Sequence, residues 1–159
     1  GFKYLDYPAI FFHEGQIIYA FHDAPHLLKN IRNNLITHDC HFAGGVAKIS
    51  HLKDFINNDL QSEIRMAPKV SIEHLYMDCF AKMKVRPAAQ LLSYTVAAGI
   101  CSQVVCGKLP HESLQTANFV KFMNCLFDTF NTHGRFQKGK FLFYNGNEEN
   151  LLKLDEYFK

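Results

Sequence analysis

Along this 159-residue chain the alternation of hydrophobic and polar positions changes rhythm near residue 23. Before it, Ile17, Tyr19 and Phe21 alternate with Gln16, Ile18 and Ala20, a mostly apolar run that predicts a strand buried on both faces. A turn at Glu14-Gly15 makes the opening segment a hairpin. After it, Leu27, Leu28, Ile31 and Leu35 recur at helical spacing, while Lys29, Asn30, Arg32, Asn33 and Asn34 fill the other face. A helix is therefore predicted from about Pro25 to Ile36, with Asp23 as its N-cap and Pro25 in the first turn, where a missing N–H costs nothing. The junction leaves a carboxylate at the end of a strand and His26 about one turn later.

The remaining pattern is helical. Thr37 to Ala47 has no periodicity and contains Gly44-Gly45, which predicts a loop. Ser50 then caps a short helix whose apolar face is Leu52, Phe55 and Ile56. Past the break at Ala67-Pro68, Ser71 caps a helix with Glu73 near its positive end and Leu75, Cys79 and Phe80 inward. After a second break at Arg86-Pro87, the most apolar helix runs from about Pro87 to Cys106 and stops at Gly107. A last long helix, from about Leu114 to Thr132, buries Phe119, Phe122, Met123, Leu126 and Phe130. Arg135 to Gly146 fits a loop or short hairpin, and Asn147 caps a final helix through about Phe158.

Composition sharpens this only in places. A hydrophobic fraction of 48% with fifteen Phe argues for a folded chain with a sizeable core. No stretch is expected to reach the roughly 18 uncharged apolar residues of a membrane helix, and the first residues do not read as a signal peptide. Five Cys, odd in number and without a Cys-x-x-Cys pair, predict buried reduced thiols. A net charge of +2 leaves room for a local basic surface, in which Lys29, Arg32, Lys48, Lys53 and Arg65 either meet DNA phosphates or are ordinary surface cations. His38-Asp39-Cys40-His41 carries metal-capable side chains too close together for a standard zinc site.

Two constellations hold candidate chemistry. Asp23 is a helix cap or a metal ligand, and one carboxylate alone cannot hold the two metals of a phosphoryl-transfer site. The second begins at Lys82, Lys84 and Arg86, ahead of a helix start whose unpaired N–H groups favour a phosphate, and continues through Gln90 and Ser93. On the later helix Asn124, Asp128 and Asn131 share a stripe, with Phe127 beside it. A carboxylate accepts two hydrogen bonds from a guanine edge and an aromatic face stacks on a base, so these could be parts of a guanine nucleotide site, although lysines ahead of a helix and an Asp on one are more often a solvated face. No Gly-x-x-x-x-Gly-Lys-Ser/Thr loop is present.

The segment Asp23-Ala24-Pro25-His26-Leu27-Leu28-Lys29-Asn30-Ile31-Arg32-Asn33-Asn34 closely resembles that of P-element-type transposases, including the THAP-domain transposases. Lys82-Met83-Lys84-Val85, Ala88 to Ala97, Thr116-Ala117-Asn118-Phe119 and Phe127-Asp128 with Asn131 are similar to segments of the same family. The resemblance implies a mainly α chain: a helical GTP-binding insertion domain over residues 37–159, preceded by a short β-strand and helix fragment of an RNase H-like catalytic core over 1–36. It implies that Asp23 is a catalytic metal ligand for Mg²⁺ with His26 beside it. It also implies that Asp128 reads guanine with Phe127 packed on it, Lys84 and Val85 touch the base from the other side, Lys69 reaches the phosphates, and Ser93 and Asn131 add polar contacts. GTP would be a cofactor that is not hydrolysed and that positions transposon ends and target DNA for Mg²⁺-dependent strand transfer by a nuclear, homo-oligomeric parent. The family's first acid and its Asn-Gln-Asp-x-x-Glu motif have no counterpart here, so the chain is expected to be a fragment that cannot cut DNA alone. The rival expectation is a domesticated DNA- or protein-binding module that has lost the nucleotide.

Overall fold

In the computed structural model, residues 10–19 and 23–130 are described. The opening hairpin forms as expected. Strands β1 (Ile10–His13) and β2 (Gln16–Tyr19) pair antiparallel with His13 opposite Gln16. Glu14 and Gly15 both take positive φ, 48° and 80°, the backbone that a two-residue turn needs to match strand twist. The rest of the predicted strand, through Phe21, lies outside the described residues.

Helix α1 (Ala24–Thr37) starts where the sequence places it: Asp23 Oδ2 accepts the His26 N–H at 3.0 Å. Leu28 and Leu35 are buried, and so, against expectation, is Arg32, at 0% exposure. Its guanidinium donates to Lys82 O and Asn33 Oδ1 and meets the Met77 sulfur, so the charge is held by neutral acceptors. Burial pulls its pKa below the ordinary arginine value.

The expected loop after α1 is instead a second hairpin, β3 (Cys40–Phe42) and β4 (Gly45–Ala47). Three-residue strands are too short to show a period, and this pair is anchored from outside: Gln115 Oε1 accepts the Val46 N–H at 2.8 Å. Helix α2 (Ile49–Leu60) buries Leu52, Phe55 and Ile56 as expected, but Lys48, not Ser50, is its N-cap. The Lys48 N–H is taken by Thr116 Oγ1, which fixes the helix start.

The segment after Pro68 departs furthest from expectation. Ser71 begins only a single 3-10 turn, Ile72–His74, and Asp78 caps a separate short helix, α3 (Cys79–Lys82), by accepting the Ala81 N–H at 2.6 Å. Two side chains that bond their own backbone break what periodicity reads as one helix. Leu75 is buried, whereas Cys79 is exposed and Phe80 is 80% exposed. The most apolar stretch is likewise two helices, α4 (Val85–Leu91) and α5 (Tyr94–Val105). Ser93 caps α5 by accepting the Val96 N–H, and Tyr94 N–H is drawn to Asn124 Oδ1 at 3.1 Å. By length and composition Val85–Val105 comes closer to a membrane span than the sequence reading allowed, yet Ser93 breaks it and Leu91, Val96 and Ile100 sit in the core. Gly107, φ 70°, ends α5 as predicted, and the amides of Lys108 and Leu109 reach back to Gln103 O.

Helix α6 (Ser113–Phe130) closes the described fold. It packs along α5 and against β4 and α1, while α4 lies on α1 and α2 on α5. Among the described residues the fold is thus mainly helical, with two small hairpins, and the loop or hairpin expected over 135–146 and the helix expected from Asn147 lie outside them. Phe119 and Met123 are buried and Phe122 and Leu126 half-buried, whereas Phe130 is 41% exposed. The thiols are free but, against expectation, none is fully buried: Cys79 and Cys106 are exposed, and Cys40, Cys101 and Cys125 are intermediate.

Candidate functional site

The site is built from the loop between α2 and the 3-10 turn. Asp59, 1% exposed on α2, accepts from Met66 N–H at 2.6 Å, Ala67 N–H at 3.3 Å and Arg65 Nε at 3.2 Å. Arg65 in turn donates to the carbonyls of Ala67 and Val70. One buried carboxylate and one guanidinium thereby fold residues 65–70 into a fixed wall. Facing it are α4 and the capped start of α5.

Between them lies a cleft of about 450 Å³, lined by Ala67, Pro68, Lys69 and Val70 on one side and Arg86, Ala89, Gln90, Ser93 and Thr95 on the other. Its size falls in the range of small-molecule sites. Lys69 and Arg86 put two cations at its walls, and neither forms a salt bridge among the described residues. The chemistry on offer is that of an anion holder: two positive charges, a carboxamide and two hydroxyls.

The expected nucleotide residues are brought together only in part. Lys69 and Ser93 line the cleft directly. Lys84 is the exposed N-cap of α4 and Val85 its first residue, beside the cleft-lining Arg86. Asp128 is joined to the same region by a polar chain: Asn124 Nδ2 donates to Asp128 Oδ2 at 3.0 Å, and Asn124 Oδ1 accepts from Tyr94, the residue after Ser93. Phe127 turns elsewhere, lining with Met123 and Leu126 a narrow apolar groove against Leu27, Leu28 and Ile31 of α1. Asn131 lies outside the described residues. Sequence reading does not single out Asp59, Arg65 and His74 as the residues that hold the cleft's walls, and it places Arg65 among cations that either meet DNA phosphates or are ordinary surface charges.

Two members of that basic group are withdrawn from the surface. Arg32 is buried, Arg65 is bound to Asp59, and Lys53 sits 5.7 Å above the Tyr76 ring. At the other end of α1, Asp23 Oδ2 lies 3.9 Å from His26 Nε2. Among the described residues no group of three His, Cys, Asp or Glu could hold a metal. The described residues therefore bring no third ligand beside Asp23 and His26, and no such group forms at His38-Asp39-Cys40-His41.

The family described as TNP-like, GTP-binding insertion domain matches residues 25–142. The chain is 30% identical over 115 residues to the Transposable element P transposase of Drosophila melanogaster, covering 72% of this chain and 15% of that protein. Its fold is similar to a chain of the Drosophila P element transposase strand transfer complex, with a TM-score of 0.76 and 25% identity over 94% of this chain and 36% of that one. The chain thus spans a minor part of the relatives it matches.

Proposed function

The chain belongs to the TNP-like, GTP-binding insertion domain family of P-element-type transposases, and from that premise we propose that it binds GTP in the cleft between the 65–70 wall and α4–α5. The observation that carries the reading is the meeting of Lys69, Arg86 and Ser93 around one small-molecule-sized cleft. The phosphates lie toward Lys69 and Arg86, and Ser93, at the positive end of α5, adds a hydroxyl. Asp128 accepts from the guanine N1–H and amino group, Lys84 and Val85 contact the base from the α4 side, and Asn131 adds a polar contact. Phe127 supports the base from behind α6 by fixing that helix on α1.

No P-loop accompanies these residues, and GTP in this reading is a cofactor that is bound and not hydrolysed. In the parent protein it positions transposon ends and target DNA for strand transfer in the nucleus, in an oligomer. Residues 1–36 belong to the parent's RNase H-like core and 37–159 to the insertion, with α1 sharing the insertion's packing. Mg²⁺ belongs to the complete catalytic core, to which Asp23 contributes one carboxylate with His26 beside it.

Calorimetric titration of the chain with GTP, ATP and XTP tests this. Wild type should prefer GTP, and Asp128→Asn should move the preference toward XTP, which presents an acceptor where guanine has its amino group. Lys69→Ala should weaken GTP by roughly tenfold, the value of one charge-assisted bond. Absence of nucleotide binding, or a preference that Asp128→Asn does not move, would overturn the reading and leave the domesticated module in its place.

A further inference from the structure

Ser71, His74 and Gln90 form a chain of hydrogen bonds that ends at the cleft. The Ser71 N–H donates to His74 Nδ1 at 3.1 Å, so this nitrogen is an acceptor and the neutral ring carries its hydrogen on Nε2. His74 Nε2 lies 3.1 Å from Gln90 Oε1. A donor there requires the carboxamide oxygen, which settles the orientation of Gln90: oxygen toward His74, amino group away from it. Gln90 lines the cleft between Arg86 and Ser93, and its amino group meets no protein acceptor among the described residues.

We propose that Gln90 donates its side-chain N–H to a phosphate oxygen of the bound nucleotide and that His74 is the positioning residue that holds it in that orientation. The inference rests on the nucleotide reading of the cleft and adds the donor that Lys69 and Arg86 do not supply: neutral, directional and of fixed sense. A phosphate is the fitting acceptor because both cations of the cleft stand on its walls. Without His74 the carboxamide is free to flip and present its oxygen to the anion, so His74 acts on affinity only through Gln90.

A double-mutant cycle on the full chain separates this from a structural role. GTP affinity is measured for wild type, Gln90→Ala, His74→Phe and the double variant, with guanosine as a ligand lacking phosphates and the thermal midpoint recorded for each protein. Each single change should weaken GTP by about five- to tenfold, the double variant should be no weaker than Gln90→Ala, and guanosine binding should not change with Gln90→Ala. Gln90→Glu, which leaves His74 intact, should weaken GTP more than Gln90→Ala and keeps the phosphate contact testable if His74→Phe does not fold. Losses that add in the double variant overturn the positioning role. Equal losses for GTP and guanosine overturn the phosphate contact. GTP binding that falls with Lys69→Ala but is unmoved by either Gln90 change overturns this inference alone, and wild type that binds no GTP overturns it together with the nucleotide reading.

Discussion

His51 sits at 6% exposure where α2, β4 and α6 meet, with Nδ1 2.8 Å from Thr116 Oγ1. Burial first and the nearby Lys48 second hold its pKa below the usual 6.5, against weaker opposing pulls from Asp54, Glu112 and Asp39. A histidine with a lowered folded pKa favours the native state above the unfolded value and loses that contribution as pH falls through the folded one. Urea unfolding midpoints should therefore drop between about pH 7 and pH 5 more steeply for wild type than for His51→Gln, which cannot titrate. Equal slopes would remove His51 from the acid sensitivity. At this scale the sequence was least informative. Periodicity assigns every charge to a solvated face, but Asp59 is buried by amides seven and eight residues on, and Arg32 by a carbonyl 50 residues away. The site residues that follow from resemblance, such as Lys69 and Ser93, are named by local sequence, whereas those that hold them are named only by the folded loop.

Helices survive the passage from sequence to structure better than their ends do. The apolar faces of α1, α2 and α6 were legible because tertiary burial follows the 3.6-residue period. The division of α4 from α5 was not, since Ser93 is tolerable within a helix until Asn124 claims the following amide. Gly99 marks how closely α5 is pressed to α2: a Cβ there would lie 2.6 Å from the ring of fully buried Phe55. Helix propensity alone favours Gly99→Ala by about 1 kcal/mol, whereas overpacking costs about 1–3 kcal/mol, and the immobile ring lets the second effect win. Chemical denaturation should show Gly99→Ala less stable than wild type. A gain in stability would mean that α2 and α5 can part without loss.

Across the whole molecule, α1 is bound to the remote segment before α4 through Arg32, whose guanidinium donates to Lys82 O at 2.7 Å. Arg32→Ala removes a large buried side chain and orphans that carbonyl, which together should cost about 3–5 kcal/mol in guanidinium unfolding. Arg32→Met orphans the same carbonyl but keeps most of the volume and removes a buried charge with no carboxylate partner, so its cost should be about 1–3 kcal/mol, below that of Arg32→Ala. Equal losses from both would assign the effect to the hydrogen bond and not to packing. The same clamp has a mechanical side. Asp23 stands at the head of α1, and the carbonyl held by Arg32 lies two residues before the α4 cap at Lys84. If helix and clamp move as one body, a load applied at the Asp23 end is carried to the segment that leads into α4 and so to the wall of the cleft. Thermodynamic reciprocity then requires that any factor by which such a load alters ligand affinity is the factor by which the ligand resists the load.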